Sequence, residues 1–127
     1  MNHNVLIYVE SRYQVSRKRM KQMVARTLEE NNIKSPVEIS LAIIGDRKMR
    51  VLNKKYRDKE GTTNILSFPI NEGEATVVPT DKMRLGDIVI SYPQIIKEAA
   101  RDDMLVDDKV DELIQHGLLH LLGVHHE

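Results

Sequence analysis

Four of the five histidines fall within the last twelve residues: His116, His120, His125 and His126. His116 and His120 are four apart, so on a helix their rings lie on one face, one turn from each other. That spacing lets two imidazoles approach a single metal ion. Gly123 can end such a helix and turn the chain back, and His126, three residues later, can supply a third nitrogen. Three nitrogen ligands leave a fourth position for water, whose pKa a zinc ion lowers toward ~7, which is the arrangement of a catalytic rather than a closed structural site. The chain has no cysteine. Thiolate metal sites, disulfides and cysteine nucleophiles are therefore excluded, and any metal is held by nitrogen and oxygen.

The pattern His-x-x-x-His-x-x-Gly-x-x-His has the ligand spacing of the metzincin peptidases. Those enzymes place a Glu directly after the first histidine as general base. Here that position is Gly117, and Leu118 and Leu119 complete the interval. With no carboxylate between the two histidines, the pattern argues against a peptidase of that mechanism.

Charge supplies a second candidate surface. Nineteen Lys and Arg balance nineteen Asp and Glu, but unevenly. Residues 11–59 carry 14 basic against 5 acidic side chains, and residues 60–127 carry 5 against 13. The dense basic groups are Arg12, Arg17, Lys18, Arg19, Lys21 and Arg26, then Arg47, Lys48, Arg50, Lys54, Lys55, Arg57 and Lys59. Such asymmetry suits a phosphate-facing surface; it also suits the solvated faces of two amphipathic helices.

These residues need a scaffold, and 127 residues is one domain's worth of chain, at 41% hydrophobic and 30% charged. Val5–Glu10 is short and β-branched and reads as a strand rather than a leader. Helical spacing runs from Tyr13 to Glu30, with Asn31-Asn32 as its stop. Val37, Ile39 and Leu41 alternate with Glu38 and Ser40 before the run turns fully apolar, a strand ending at Gly45. Asp46 is expected to cap a helix through Tyr56. Ile65–Pro69 and Leu85–Ser91 read as strands and 71–81 as a loop. Pro93 opens a helix through Ala100, and the last helix runs from about Val106 to Leu122 with Gly123 as its stop. The order β-α-β-α-β-β-α-α predicts a single α+β domain over 1–127, with a mixed, roughly four-stranded sheet, packed helices and a zinc-hydrolase-like C-terminal helix. No apolar run approaches the ~20 residues of a membrane span, and with no cysteine the expected location is the cytoplasm.

Three blocks then resemble the bacterial YbeY endoribonucleases, the rRNA maturation factors. They are Asn53-Lys54-Lys55-Tyr56-Arg57 through Thr63-Asn64-Ile65-Leu66-Ser67-Phe68-Pro69; Leu85-Gly86-Asp87-Ile88-Val89-Ile90-Ser91; and His116-Gly117-Leu118-Leu119-His120-Leu121-Leu122-Gly123-Val124-His125-His126. In that family too, Gly stands where the peptidases have Glu. The resemblance implies a single-strand-specific, metal-dependent endoribonuclease acting in rRNA processing, including 16S rRNA 3′-end maturation, and in ribosome quality control. It implies one zinc per chain on His116, His120 and His126, with single-stranded RNA, ribosomal RNA and the small ribosomal subunit as partners. Arg57 falls on the family's functional arginine and is expected to clamp the scissile phosphate. Catalysis is then expected at Arg57 and His116, and RNA contact at Arg57, Lys54, Lys55 and Ser67.

The sequence departs from the family twice. The last ligand is usually preceded by Asp, where this chain has His125, so His126 has the ligand spacing and His125 is the alternative. Relatives also continue beyond the third histidine, whereas the sequence here stops at Glu127, whose carboxylate is expected within reach of the metal. Two rival readings are a zinc hydrolase of another substrate class, and a non-catalytic ribosome-assembly factor whose metal only staples the fold.

Overall fold

The computed structural model describes residues 3–70 and 83–123. The elements are β1 (Asn4–Val9), α1 (Arg17–Glu30), β2 (Val37–Ile44), α2 (Asp46–Arg57), β3 (Ile65–Pro69), β4 (Met83–Ser91), α3 (Tyr92–Arg101) and α4 (Val106–Leu121). They occur in the expected order, and the fold is α+β with a four-stranded mixed sheet. The 71–81 loop lies outside the described residues, as do His125, His126 and Glu127. No helix among the described residues is long and apolar enough to cross a membrane.

The sheet order is β1-β2-β4-β3, with β1, β2 and β4 parallel and β3 antiparallel to β4 at one edge. One face carries α1, α3 and α4, and the core between them includes Met20, Val24, Leu28, Ile39, Leu41, Ile43, Ile88, Ile90, Ile95, Val110, Ile114 and Leu118. Among the described residues the other face carries only α2, over Ile44, Met49, Leu66 and Val89. This asymmetry explains why β2 changes its pattern. Where α2 is absent the strand alternates, with Glu38 and Ser40 on the open face; where α2 covers it, Ala42 and Ile44 are apolar as well.

Two local expectations are corrected. The first helix begins at Arg17, not near Tyr13, because Ser16 caps it by accepting a hydrogen bond from the Arg19 N–H at 3.1 Å. Tyr13 instead stacks on Tyr92, with ring centroids 4.4 Å apart. Asp46 is not the cap of α2; Gly45 holds that position, with no side-chain cap bond. The Asp46 carboxylate faces inward and accepts from Ser91 Oγ at 2.7 Å, Thr62 Oγ1 at 2.8 Å and Gln94 Nε2 at 3.2 Å. It therefore ties the start of α2 to the loop before β3 and to the start of α3.

In β4, Gly86 makes the sheet possible. Its φ is +143°, and a Cβ there would lie 2.2 Å from the Phe68 carbonyl oxygen, so only glycine lets β3 and β4 pair at this point. The β2–β4 register slips at the same place, Glu38 facing Arg84 and Ile39 facing Gly86, as in a β-bulge.

Candidate active site at the edge of strand β3

The site begins with how β3 meets its neighbour. At the ends of the β3–β4 ladder, the Ser91 N–H donates to the Asn64 carbonyl at 2.9 Å and the Ile70 N–H to the Leu85 carbonyl at 3.2 Å. Bonded positions alternate in an antiparallel pair. Ser67, opposite Ile88, therefore turns its backbone N–H and C=O away from β4, toward the open edge of the sheet.

Arg57 takes that carbonyl. It is the last residue of α2, and its Nη2 donates to the Ser67 oxygen at 2.9 Å, with the guanidinium 5.4 Å from the centre of the Phe68 ring. The helix stops there because Asp58 adopts a left-handed conformation with φ 53°. The following turn is held firmly. The buried Asn53 donates from Nδ2 to the Gly61 carbonyl at 3.1 Å, Thr62 bonds Asp46, and Asn64 Nδ2 donates to Glu98 at 3.2 Å. Tyr56 meets Phe68 edge-on at 5.1 Å, so Arg57 lies beside an aromatic shelf. The sequence signal for this shelf is the adjacency of Tyr56 to Arg57 and of Phe68 to Ser67.

The side chain of Ser67 points the other way, under α4. The residue is 8% exposed. A Cβ on Gly117 would sit 3.2 Å from Ser67 Oγ, 3.0 Å from Ile88 Cδ1 and 3.1 Å from Ile65 Cδ1. Gly117 is thus the point where α4 settles on β3 and β4. A side chain at 117 would point into the sheet, so this position offers no place for a catalytic carboxylate. His116 and His120 flank that contact on the exposed side of α4. As i and i+4 of one helix they stand about one turn apart. Among the described residues neither imidazole forms a hydrogen bond or ion pair, so their nitrogens are uncommitted. Helix α4 ends as expected, with the Gly123 N–H bonded to the His120 carbonyl at 3.1 Å and Gly123 at φ 75°.

The structure therefore joins Arg57 to Ser67 by a hydrogen bond and seats Ser67 against the turn of α4 that carries His116 and His120. A metal fits the chemistry of this donor set: two exposed, unpaired nitrogen ligands on one helical face. No group of three metal-binding side chains occurs among the described residues, and the expected third ligand, His126, and its alternative, His125, lie outside them. The two lysines differ. Lys54 is engaged by Asp58 at 3.4 Å and Glu60 at 2.9 Å, whereas Lys55 lies 5.2 Å from the Tyr56 ring centre. Both are exposed on α2.

A model of the family described as endoribonuclease YbeY matches residues 7–127. This chain belongs to the YbeY endoribonuclease family. Over 114 residues it is 34% identical to the endoribonuclease YbeY of Acinetobacter baumannii (strain ATCC 17978), covering 90% of this chain and 72% of the relative. Its identity to the protein so named in Anaeromyxobacter sp. (strain Fw109-5) is 39% over 94 residues, 74% of this chain and 46% of the relative. For Syntrophus aciditrophicus (strain SB) it is 43% over 90 residues, 71% of this chain and 55% of the relative. The chain thus spans between about half and three-quarters of the length of these YbeY relatives. The solution structure of TM1509 from Thermotoga maritima has the same fold, with a TM-score of 0.61 at 20% identity over 97% of this chain and 75% of that one.

Proposed function

We propose that this YbeY-family chain is a cytoplasmic, metal-dependent endoribonuclease that hydrolyses phosphodiester bonds in single-stranded RNA. In the cell it acts in rRNA processing, including 16S rRNA 3′-end maturation, and in ribosome quality control, with the small ribosomal subunit as its partner. The single observation that carries this reading is the position of Ser67. Its carbonyl holds Arg57 and its side chain abuts the turn of α4 that presents His116 and His120.

Arg57 has one nitrogen fixed by Ser67 and its plane beside Phe68, so the rest of its donor fork is oriented before any RNA arrives. A guanidinium remains charged at all relevant pH values. It binds a phosphate and stabilises the charge that grows on the phosphoryl oxygens as the bond breaks. His116 and His120 would hold one zinc ion together with His126. When bound, that ion supplies Lewis acidity toward a phosphate oxygen and toward water. No carboxylate follows His116 to act as base, because position 117 packs on β3 and β4 and a side chain there would point into the sheet. Cation-lined α2 tracks the RNA backbone without reading bases, which gives low sequence specificity.

The test joins two measurements on the full chain. Plasma mass spectrometry is expected to find near one zinc per chain, lost in His120→Ala. A single-stranded RNA is expected to be cut by the wild type and not by Arg57→Ala or His116→Ala. Chelator-resistant cutting by either variant would defeat the metal mechanism. Metal-free wild type that still sediments with ribosomal subunits but never cuts would favour a non-catalytic assembly factor.

A further inference from the structure

The α2 helix carries more charge and more exposed apolar surface than holding Arg57 requires. Its twelve residues contain six cations and one acid. Among the described residues Arg47, Arg50 and Lys55 form no ion pair, while Lys48 pairs with Glu10 at 3.1 Å and Lys54 with Asp58 and Glu60. At the end of α2 remote from Arg57, the helix and β1 leave a groove of about 500 Å³ over the open face of the sheet. Tyr8, Ala42, Val51 and Leu52 form its walls, and Arg47 and Lys48 stand on its rim. Tyr8 is 52% and Val51 62% exposed. The Lys48 ammonium lies 5.6 Å from the Tyr8 ring centre.

Large apolar side chains left open beside Arg47, which forms no ion pair among the described residues, are a marked feature in a chain with only five aromatic residues. The combination selects its occupant. A nucleobase presents a flat face that stacks on tyrosine or aliphatic walls, and its phosphate needs a cation at the rim. An apolar peptide side chain would use the walls but leave Arg47 without a counterpart. Arg47 and Arg57 sit ten positions apart on one helix, so groove and scissile site are separated by about 15 Å of continuous basic surface.

We infer that the groove between α2 and β1 is a second nucleotide subsite, which stacks an unpaired base of the RNA against Tyr8 and Val51 while Arg47 holds the adjoining phosphate. The inference rests on the proposed RNA substrate and adds a specificity to it. Substrates must extend along α2, and a strand too short to reach the groove gains nothing from it. The groove raises affinity for longer single strands without taking part in bond cleavage.

The test measures binding of a fluorescent eight-nucleotide oligouridylate and of a uridine dinucleotide to the full chain. Tyr8→Ala, Arg47→Gln and wild type are compared, with thermal melting to confirm that each is folded. Tyr8→Ala is expected to weaken octanucleotide binding at least about fivefold and to leave the dinucleotide unchanged. Arg47→Gln is expected to reduce the slope of log affinity against log salt by about one, again only for the octanucleotide. Equal octanucleotide binding by folded Tyr8→Ala and wild type would overturn the inference and assign the groove to another class of partner. Equal weakening on both lengths would also overturn it, because Tyr8 would then act at the scissile site. Wild type that binds neither RNA would overturn the underlying substrate reading instead.

Discussion

Replacing Gly117 by alanine adds one carbon at the joint between α4 and β3, and the geometry sets its cost. The new Cβ would lie 3.0 Å from Ile88 Cδ1, 3.1 Å from Ile65 Cδ1 and 3.2 Å from Ser67 Oγ. Favourable carbon contacts begin near ~3.5 Å, so each neighbour must retreat by a few tenths of an ångström. The isoleucine methyls are the ends of longer side chains and can rotate. Ser67 Oγ is one bond from its Cβ, so relief there moves either its rotamer or the strand. Overpacking of this kind costs about 1–3 kcal/mol, and the better helix propensity of alanine returns about 1 kcal/mol. The expected net loss is about 1 kcal/mol, or about 4 °C in melting temperature for a chain of this length.

Activity is expected to fall further than stability, because Ser67 also holds Arg57. A displacement of about half an ångström at that carbonyl misaligns the guanidinium, and cleavage of single-stranded RNA should drop about tenfold, mostly in kcat. Adding Ser67→Ala to the variant removes the Oγ contact while keeping the backbone carbonyl. The double variant should therefore recover part of the loss, a non-additive coupling. A Gly117→Ala protein that melts higher than wild type and cuts RNA at the full rate would refute the reasoning. The contact would then have slack, and glycine would not be there for close approach.

Because His116 and His120 are exposed and, among the described residues, unpaired, His116→Ala and His120→Ala should leave the metal-free protein within about 0.5 kcal/mol of wild type by chemical denaturation, while each abolishes metal binding by plasma mass spectrometry. Arg57→Lys keeps the charge but not the planar fork shared between Ser67 and phosphate; cleavage should fall by about 10²–10³ with little change in melting temperature. Burial alone would raise the pKa of Asp46, but the hydrogen bonds from Ser91, Thr62 and Gln94 outweigh it and hold the carboxyl below its ordinary value. Its stabilising contribution is therefore complete above the unfolded-state pKa of about 4 and is lost as pH falls through the lower folded value. Wild type should accordingly exceed Asp46→Asn in melting temperature at neutral pH and lose that advantage in acid; a gap that widens on acidification would contradict this account.

Much of the scaffold was legible because periodicity records burial. The alternation in β2, the helical spacing of the histidines and the glycine after them each report a local backbone state. The three partners of Asp46 were not legible. They come from residues 62, 91 and 94, and only the closed fold places them around one carboxylate. Cap chemistry correctly marks Asp46 as a residue near a helix start but cannot say where its oxygens go. The start of α1 failed for a similar reason: Tyr13 keeps helical spacing, yet it stacks on Tyr92, which lies far along the chain. The charge asymmetry was real but ambiguous. Part of it is internal, since Arg19 of the basic half binds Asp108 at 2.7 Å and Asp111 at 2.6 Å in the acidic half. What remains exposed is divided between α1, at Arg17, Lys18, Lys21 and Arg26, and α2.

The sheet edge explains why the candidate site sits where it does. Helices α2 and α4 cover opposite faces of the sheet, so side chains they carry would ordinarily be kept apart by its thickness. The link between them is β3, which among the described residues pairs only with β4. At that edge Ser67 offers its carbonyl outward to one helix and its side chain inward to the other. Pro69, which has no N–H to offer, ends the same strand and limits pairing there with another chain. Moving β3 is therefore expected to change Arg57 and the histidine turn together and to act on the rate of cleavage. Altering the outer face of α2 is expected to leave that joint intact and to act on affinity. Substitutions at Gly117, Ser67 or Gly86 should thus lower kcat, and substitutions at Arg47 or Lys55 should raise KM, a division that follows from which of the two surfaces each residue touches.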